Sequence, residues 1–548
     1  MNKSKIISCI SSHVSGLRTK YKIECTILLL AACCLLPVTG NAQTDEGGVG
    51  KVSPKAAEDK LFAGNYEDAL TDYLALHAKE PQNDKYVYNL AVCYLNYNGN
   101  KTKAIPYLEK LTHNAKHEPN ADYLLGRAYQ YALRFDDAIT AFNRFTKEGK
   151  GKEENLKDAE LQIQYCLNAK ERLKYPLNAT FENLGKTVNS EYNDYYPFIP
   201  LDESFIIYNS KRPLGDVEQK PNGEYPTVIL ISEVKDGKYQ PAKKLELEFP
   251  KGTTSSEVIG LSANGNTLLL YLNDNKGLGS IYISERVDGK YAKPVLLDKQ
   301  INAPNSDEIA ASISAEGDVI YFASDRVGGM GGTDIYACRK TPAGAWGIAQ
   351  NLGKEINTAQ NEDFPNISPD GKELYFSSTG HSSMGGYDIF KATKNEETNA
   401  WENPKNIGYP VNTPLDDYNF RVSKTNRYGY ISAIRNEGLG DFDNYRITFN
   451  DVEPELSLMY GQVLSEDGTQ INFPDVLITV TDDKSGDLLG TYLPNPKTGK
   501  YVVILPPGKY TLVVELFNFK LLSKKIEVFD KASFQSEMQI DLKLQIQK

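Results

Sequence analysis

The sequence predicts a multidomain protein in which an α-helical solenoid precedes two all-β domains, a five-bladed β-propeller and a small β-sandwich. Three observations predict this architecture. Helical periodicity runs through residues 50–175, a segment recurs about every 55 residues within 176–449, and short strands without that period fill 456–546. A chain of 548 residues is too long for a single hydrophobic core, so several domains are expected.

The first 42 residues have the pattern of a secretory signal peptide. Basic residues precede an apolar run from Cys25 to Leu36, and Gly40-Asn41-Ala42 forms a small-residue cleavage site. Residues 1–42 are therefore excluded from the fold. An alternative is a lipoprotein signal, in which Leu30-Ala31-Ala32 precedes a lipidated Cys33. The apolar run continues past Cys33, which favours the first interpretation.

Charge and cysteine content exclude several classes of function. The formal net charge is −11, and removal of the basic signal segment would make it more negative. An acidic chain without a basic cluster is a poor nucleic-acid binder, and no later segment is long enough to span a bilayer. Cys93, Cys166 and Cys338 are odd in number and widely separated, which predicts small buried apolar side chains rather than disulfides. No cofactor is predicted.

The helical region repeats with its own period. Ala69-Leu70, Ala104-Ile105 and Ala138-Ile139 recur at 34–35 residues, and each follows another apolar helix. Small residues at 57, 91 and 126 would let paired helices approach closely. This pattern resembles the tetratricopeptide repeat, with three repeats and a capping helix at about 155–173.

The tetratricopeptide resemblance implies a concave groove formed by the first helix of each pair. The register of the repeat places six residues on it: Lys55, Tyr88, Val92, Tyr123, Arg127 and Tyr131. Tyrosine and arginine are common anchors at protein interfaces, so the groove is a candidate docking surface for an extended or helical peptide. The alternative is that the groove packs against the propeller. The sequence leaves both open.

Each 55-residue repeat reads as four short antiparallel strands. In the clearest copy, Pro369-Asp370-Gly371 turns between two strands, and Asp388 opens a third strand after a glycine-rich loop. Four strands without a helix describe a propeller blade. Five copies of the first three strands are present, and the last lacks a fourth strand. Phe181–Gly185 would supply it and close a five-bladed ring, with six blades as the alternative.

The repeat resembles the TolB-type propeller of bacterial envelope proteins, most clearly in three blades. Its loop face is a second candidate binding surface, with these recurring charged residues: Arg212, Arg326, Asp334, Asp388 and Arg435. They could hold an anionic ligand or a partner. The default alternative is structural, with the arginines paired to blade carboxylates and the aspartates bonded within turns.

The final ninety residues read as a small β-sandwich. Strands flank the turn Pro506-Pro507-Gly508, and the stretch from Thr498 to Val514 resembles the carboxypeptidase regulatory-like, transthyretin-type domain. This resemblance implies an accessory domain without peptidase activity. A secretion-sorting β-domain is the alternative.

Candidate catalytic groups are few. His113 and His117 have helical i, i+4 spacing without a third metal ligand, which favours two solvated side chains over a zinc site. Arg326, Asp334 and His381 lie in neighbouring blade loops and prompt an alternative function, propeller-based binding or processing of glycans or peptidoglycan fragments.

The domain order resembles OmpA-family envelope proteins of Bacteroidetes, including the accessory component of the type IX secretion system. That family ends in a peptidoglycan-binding domain, which does not follow residue 546 here, so direct peptidoglycan binding is not expected. The resemblance implies a non-enzymatic periplasmic scaffold associated with the outer membrane, which binds other envelope proteins.

Overall fold

The structure is a computed structural model with three units along the chain: a helical unit, a ring of sheets and a C-terminal pair of sheets, the tail unit. It describes residues 52–97, 99–114, 116–274, 279–435, 437–530 and 534–547. The predicted signal peptide 1–42 and Cys33 lie outside the described residues. No helix in the described ranges is long and apolar enough to cross a membrane.

The helical unit is built from antiparallel helix pairs. Within the described residues its helices are α1 (Pro54–Phe62), α2 (Tyr66–Lys79), α3 (Asp84–Asn96), a 3-10 turn (Lys101–Ala104), α4 (Ile105–Thr112), α5 (Ala121–Tyr131), α6 (Phe135–Glu148) and α7 (Glu153–Arg172). Successive helices contact one another, and α7 packs on α6 at the end of the series. This arrangement matches the predicted pairs and capping helix.

Small residues allow the paired helices to pack closely, as the sequence predicts. Ala57 and Ala91 are fully buried. A Cβ on Gly126 would lie 2.6 Å from a ring carbon of Phe142 on α6. Any larger residue at 126 would therefore push α5 and α6 apart.

The middle of the chain forms five antiparallel sheets within the described residues. Sheet 1 contains β2 (Asp194–Phe198), β3 (Phe205–Ser210), β4 (Val228–Lys235), β5 (Lys238–Tyr239) and β6 (Lys243–Lys244). Sheet 2 contains β7 (Thr253–Leu261), β8 (Thr267–Asp274), β9 (Gly279–Val287), β10 (Lys290–Tyr291) and β11 (Val295–Leu296). Sheet 3 contains β12 (Glu308–Ile313), β13 (Val319–Ser324), β14 (Asp334–Arg339) and β15 (Gln350–Asn351). Sheet 4 contains β16 (Glu362–Ile367), β17 (Glu373–Ser378), β18 (Asp388–Lys394) and β19 (Trp401–Asn406).

Sheet 5 combines both ends of this region. It contains β20 (Tyr418–Val422), β21 (Tyr428–Ala433), β22 (Asp443–Phe449) and the upstream strand β1 (Ala179–Asn183). The first strands of the sheets contact their neighbours in cyclic order, and β2 of sheet 1 meets β20 of sheet 5. The sheets therefore form a closed ring.

Strand periodicity explains how each sheet buries both faces. Along β13, Val319 and Tyr321 face a core shared with sheet 4, whereas Ile320 and Phe322 face a core shared with sheet 2. Successive side chains of a strand point to opposite faces, so a continuous apolar run fills two inter-sheet cores at once. The second strand of each sheet is accordingly mostly apolar in its middle.

Pairing of β1 with β22 confirms the predicted donation of an upstream strand. The register runs from Ala179 opposite Phe449 to Asn183 opposite Tyr445. Leu184 and Val188, just beyond β1, then share a core with sheet 1. One short segment thus completes sheet 5 and joins it to sheet 1.

A buried hydrogen-bond network recurs at the start of the third strand in sheets 3, 4 and 5. In sheet 3, Asp334 accepts bonds from the amides of Met330 and Gly331 and from the Asn351 side chain at 2.7 Å. Asn357 then joins Asn351 to the backbone of Ile335. Asp388, Asn406 and Asn412 repeat this arrangement in sheet 4.

In sheet 5 the same network crosses the point of closure. Asp443 accepts a 2.8 Å bond from the Asn183 side chain, and Asn189 donates to Asn183 and to the carbonyl of Asn444. Asn183 on β1 therefore takes the role that Asn351 and Asn406 have in their own sheets.

The tail unit consists of two four-stranded sheets around one core. Its elements are β23 (Ser457–Ser465), a 3-10 turn (Phe473–Asp475), β24 (Leu477–Asp482), β25 (Leu488–Tyr492), β26 (Lys500–Leu505), β27 (Gly508–Glu515), β28 (Leu522–Val528), β29 (Glu537–Gln539) and β30 (Leu542–Leu544). The tail unit contacts the ring through Arg446 of β22, which pairs with Asp530 at 2.9 Å and with Glu182 of β1 at 2.8 Å.

We predict that Asn183→Ala will lower the free energy of unfolding by about 1–3 kcal/mol, because it removes a hydrogen-bond donor from the buried Asp443 carboxylate. Chemical denaturation followed by tryptophan fluorescence measures the loss. Asn178→Ala is the matched control, since exposed Asn178 bonds Asp451 outside the network. Equal stability of the two variants would show that Asn183 does not secure the closure.

Candidate functional site

The six predicted groove residues lie on the first helix of their pairs. Lys55 at the start of α1 is exposed, and the others are half-buried: Tyr88 and Val92 on α3, and Tyr123, Arg127 and Tyr131 on α5. The structure brings the three α5 residues together in one cluster. Lys55 lies on a different helix pair.

The α5 cluster is held by polar and cation–π contacts. Tyr123 donates a 2.6 Å hydrogen bond to Asp158 of α7, and Arg127 donates to the Tyr131 hydroxyl at 2.5 Å. The Arg127 guanidinium also lies 5.2 Å from the centroid of the Tyr131 ring. Burial raises the pKa of Tyr123 above its ordinary value, so its hydroxyl stays protonated and donates.

Lys101 joins this cluster, although the sequence did not identify it. Its ammonium lies 5.5 Å from the centroid of the Tyr131 ring and donates to the carbonyls of Leu95 and Tyr97. Burial lowers the pKa of Lys101 to about 8, and Asp416 of the ring opposes that shift. Lys101 of the helical unit thus interacts favourably with Asp416 of the ring.

The helical unit packs against the loop of sheet 4 that joins β17 to β18. The α7 side chains donate to this loop: Tyr165 to the Thr379 carbonyl, Asn168 to the Ser383 carbonyl at 2.9 Å, and Arg172 to the Ser382 hydroxyl at 2.9 Å. The side chain of Met384 is fully buried in the core of the helical unit. The helical unit therefore packs against the ring along its capping helix α7, whereas the alternative stated from the sequence was packing of the groove.

Sequence reasoning missed these contact residues because α7 looked like a simple cap. The loop sequence contains no signal for Met384, because a methionine occupies the same position of the sheet 3 loop. Its equivalent in sheet 3, Met330, is 45% exposed. The same repeat position is thus used for docking in sheet 4 and left open in sheet 3.

The arginines of the ring are engaged inside it. Arg212 pairs with the buried Asp194 at 2.6 Å, and Arg326 pairs with the buried Glu308 at 3.2 Å. Arg435 donates to the carbonyl of Pro410 at 3.0 Å and stacks over the Phe181 ring at 3.3 Å. Each arginine thereby fixes the start of a first strand or the segment before it. These contacts correspond to the structural reading.

Asp334 and Asp388 are buried at the starts of β14 and β18 rather than displayed on the loop face. Asp334 accepts from two loop amides and Asp388 from one, and each also accepts from an asparagine of the fourth strand, so both hold their glycine loops in place. Burial raises the pKa of Asp388 well above its ordinary value, with the neighbouring Asp417 adding to the shift.

The structure does not join Arg326, Asp334 and His381 into one site. His381 occupies in sheet 4 the place of the arginine, with Nε2 2.9 Å from the Ile356 carbonyl oxygen. Arg326 binds Glu308, and Asp334 belongs to the network of sheet 3. Each of the three side chains is therefore bound within its own part of the repeat.

His117 differs from the prediction of a solvated side chain. Its Nε2 lies 3.0 Å from Asp122, and the histidine side chain is only 8% exposed. Asp122 is buried and also pairs with Arg144, which explains why a histidine is drawn inward. His113 is exposed, as expected. No group of three metal-ligating side chains occurs in the described ranges.

Comparison with known proteins identifies the helical unit. Residues 55–119 and 120–148 match models of the tetratricopeptide repeat. The helical unit is therefore a tetratricopeptide-repeat domain, a class that points to protein partners. No curated protein matches the chain.

Solved structures similar to the chain are distant. TolB from Acinetobacter baumannii is 16% identical over 46% of this chain, with a TM-score of 0.30. The match spans 54% of the TolB chain, about half of its length. A putative TolB from Agrobacterium tumefaciens is 14% identical over 60% of this chain and 97% of its own, with a TM-score of 0.30. A β-1,2-mannobiose phosphorylase from Listeria innocua is 10% identical over 50% of this chain and 98% of its own, with a TM-score of 0.34. These likenesses are too remote to bear on function.

We predict that Met384→Ala will loosen the contact between the helical unit and the ring and cost about 2–5 kcal/mol, because it leaves a cavity in a closely packed core. Hydrogen exchange of α5 and α7 should become faster. Met330→Ala, at the equivalent exposed position of sheet 3, should leave exchange unchanged. Faster exchange in both variants, or in neither, would contradict the docking role of Met384.

Two buried carboxylates at the starts of first strands predict a pH dependence. Burial raises the pKa of Asp363 and of Asp417 to about 7. These folded-state values exceed the unfolded value of about 4. The protonated carboxyls therefore contribute their full stabilisation of the fold below pH ~4, and this contribution is lost as the pH rises through ~7. Asp363→Asn should reduce this decline by on the order of 1–3 kcal/mol.

Urea denaturation at several pH values between 4.5 and 8 measures that difference. Asp59→Asn on the exposed surface of α1 serves as the control and should retain the wild-type profile. Parallel profiles for wild type and Asp363→Asn would show that Asp363 has no raised pKa in the folded protein.

Proposed function

We propose that the protein is a non-enzymatic scaffold of the cell envelope, exported to the periplasm and associated with the outer membrane. Its role would be to hold envelope proteins together, in type IX secretion or in outer-membrane organisation. The observation that carries this proposal is the tetratricopeptide-repeat domain packed on one face of the ring. The sequence pattern of residues 1–42 supports export.

We also interpret the ring as a five-bladed β-propeller of the TolB type and the tail unit as an accessory β-sandwich. Cyclic contacts between five sheets and the completion of sheet 5 by β1 support the first interpretation. Two sheets around a single core support the second. In this arrangement the propeller is the frame on which the repeats are mounted.

The partner surface that we propose is the α1–α3 part of the groove. Lys55 is exposed, and Tyr88 and Val92 lie half-buried on the first helix of the second pair. By contrast, the α5 cluster and α7 are already engaged with each other or with the ring. A partner segment would therefore contact α1 and α3 first.

The positions of the three side chains that prompted an enzyme hypothesis favour a binding function over a catalytic one. Arg326, Asp334 and His381 each form contacts within the repeated framework, and a catalytic site requires such groups to converge on one substrate. The proposed scaffold needs no convergent chemistry.

We predict that Lys55→Glu combined with Tyr88→Ala will reduce recovery of envelope partners at least about tenfold, because it reverses a charge and removes an aromatic anchor in the proposed surface. Chemical crosslinking in the envelope fraction, followed by affinity capture and mass spectrometry, measures recovery. Lys147→Glu on exposed α6 is the charge-matched control. An unchanged set of partners in the double variant would exclude the α1–α3 surface.

A further inference from the structure

A small cavity lies on the axis of the ring, at the C-terminal ends of the first strands. Its volume is about 50 Å³, and its lining includes residues from all five first strands or the turns after them. Glu362 at the start of β16 pairs with Ser378 at the end of β17, next to the loop that contacts the helices. The cavity is therefore at the opposite end of the first strands from the helical unit.

One position of the repeat faces this cavity with a different residue in each sheet. The position lies two residues before the turn that follows the first strand, and its occupants are Phe198, Gly260, Ser312, Asn366 and Arg421. Four of these five line the cavity. Arg421 carries the single charge of the lining among the described residues.

Arg421 has no acidic partner, unlike Arg212, Arg326 and Arg446 of the ring. Its side chain is only 8% exposed, yet no carboxylate in the described ranges lies within ion-pair distance. It donates to the amide oxygen of Asn366 and, at 2.7 Å, to that of Asn419. Its Nε finds no hydrogen-bond partner, and the guanidinium lies 4.4 Å from the centroid of the Phe198 ring.

Burial of an uncompensated guanidinium is unfavourable, since charges removed from water require an opposite charge or full hydrogen bonding. Burial alone lowers the pKa of Arg421 to about 9. Ser312, which lines the same cavity, accepts a bond from the Ile367 amide, so its hydroxyl proton can be donated elsewhere. The site thus offers the unpartnered Nε of Arg421, the Ser312 hydroxyl and a positive charge.

We propose that this axial cavity binds a small monocarboxylate, held by the guanidinium of Arg421 and the hydroxyl of Ser312. One guanidinium balances one negative charge, and its planar edge matches the two oxygens of a carboxylate. The volume of about 50 Å³ admits a group the size of formate or acetate. This site is independent of the proposed scaffold role.

Thermal unfolding and calorimetry of the full chain test the proposal, with sodium acetate and sodium formate titrated at constant ionic strength. Acetate should raise the Tm of the wild type, because a ligand that binds the folded state stabilises it. Arg421→Met should weaken acetate binding by at least about tenfold, and Ser312→Ala should weaken it a few-fold. Arg339→Met, which removes an exposed arginine, should bind acetate as the wild type does.

Two results would overturn the assignment. An equal response to acetate in wild type and Arg421→Met would show that the anion acts elsewhere. Equal stabilisation by chloride and by acetate would show that the site selects charge and not a carboxylate. If Arg421→Met does not fold, Arg421→Lys keeps the charge without the planar fork and should still lose most of the preference for acetate over chloride.

Discussion

The ring depends on buried aspartates whose carboxylates each accept a hydrogen bond from an asparagine side chain. At the start of β14, β18 and β22, an aspartate accepts bonds from one or two loop amides and from one asparagine of the outermost strand. A buried carboxylate without such donors would be strongly destabilising. For Asp443 the asparagine comes from residue 183, 260 positions earlier in the chain. Closure of the ring is therefore a requirement of hydrogen bonding as well as of strand pairing.

This requirement also connects the other two units to the point of closure. The last helix, α7, ends at Arg172, and only a short segment separates it from β1, so the helical unit is attached directly to the closing strand. On the opposite side of β22, Arg446 links Glu182 of β1 to Asp530 of the tail unit. A change that displaces β1 would consequently affect the contacts of the helical unit and of the tail unit, so all three units depend on this strand.

Local patterns made much of this architecture predictable from the sequence. The recurring motif at 183, 351 and 406, an asparagine followed by leucine or isoleucine and then glycine, indicated the upstream strand, because this fourth-strand signal was present there without a sheet of its own. Contacts between units were not predictable in the same way. Met384 and Lys101 owe their burial to surfaces distant in sequence, and His117 is drawn inward by Asp122 and not by any helical periodicity.

The repeat itself suggests where function should be sought. Residues that recur from sheet to sheet, such as the aspartate that begins the third strand in sheets 3, 4 and 5, satisfy the same structural demand each time and need no ligand to explain them. Departures from the repeat lack that explanation. Met384 is buried against the helices, whereas its equivalent Met330 is exposed. Arg421 departs from Asn366 and Ser312, yet within the described residues it meets no carboxylate. The helical unit accounts for the burial of Met384, whereas an anion bound from solution would account for Arg421.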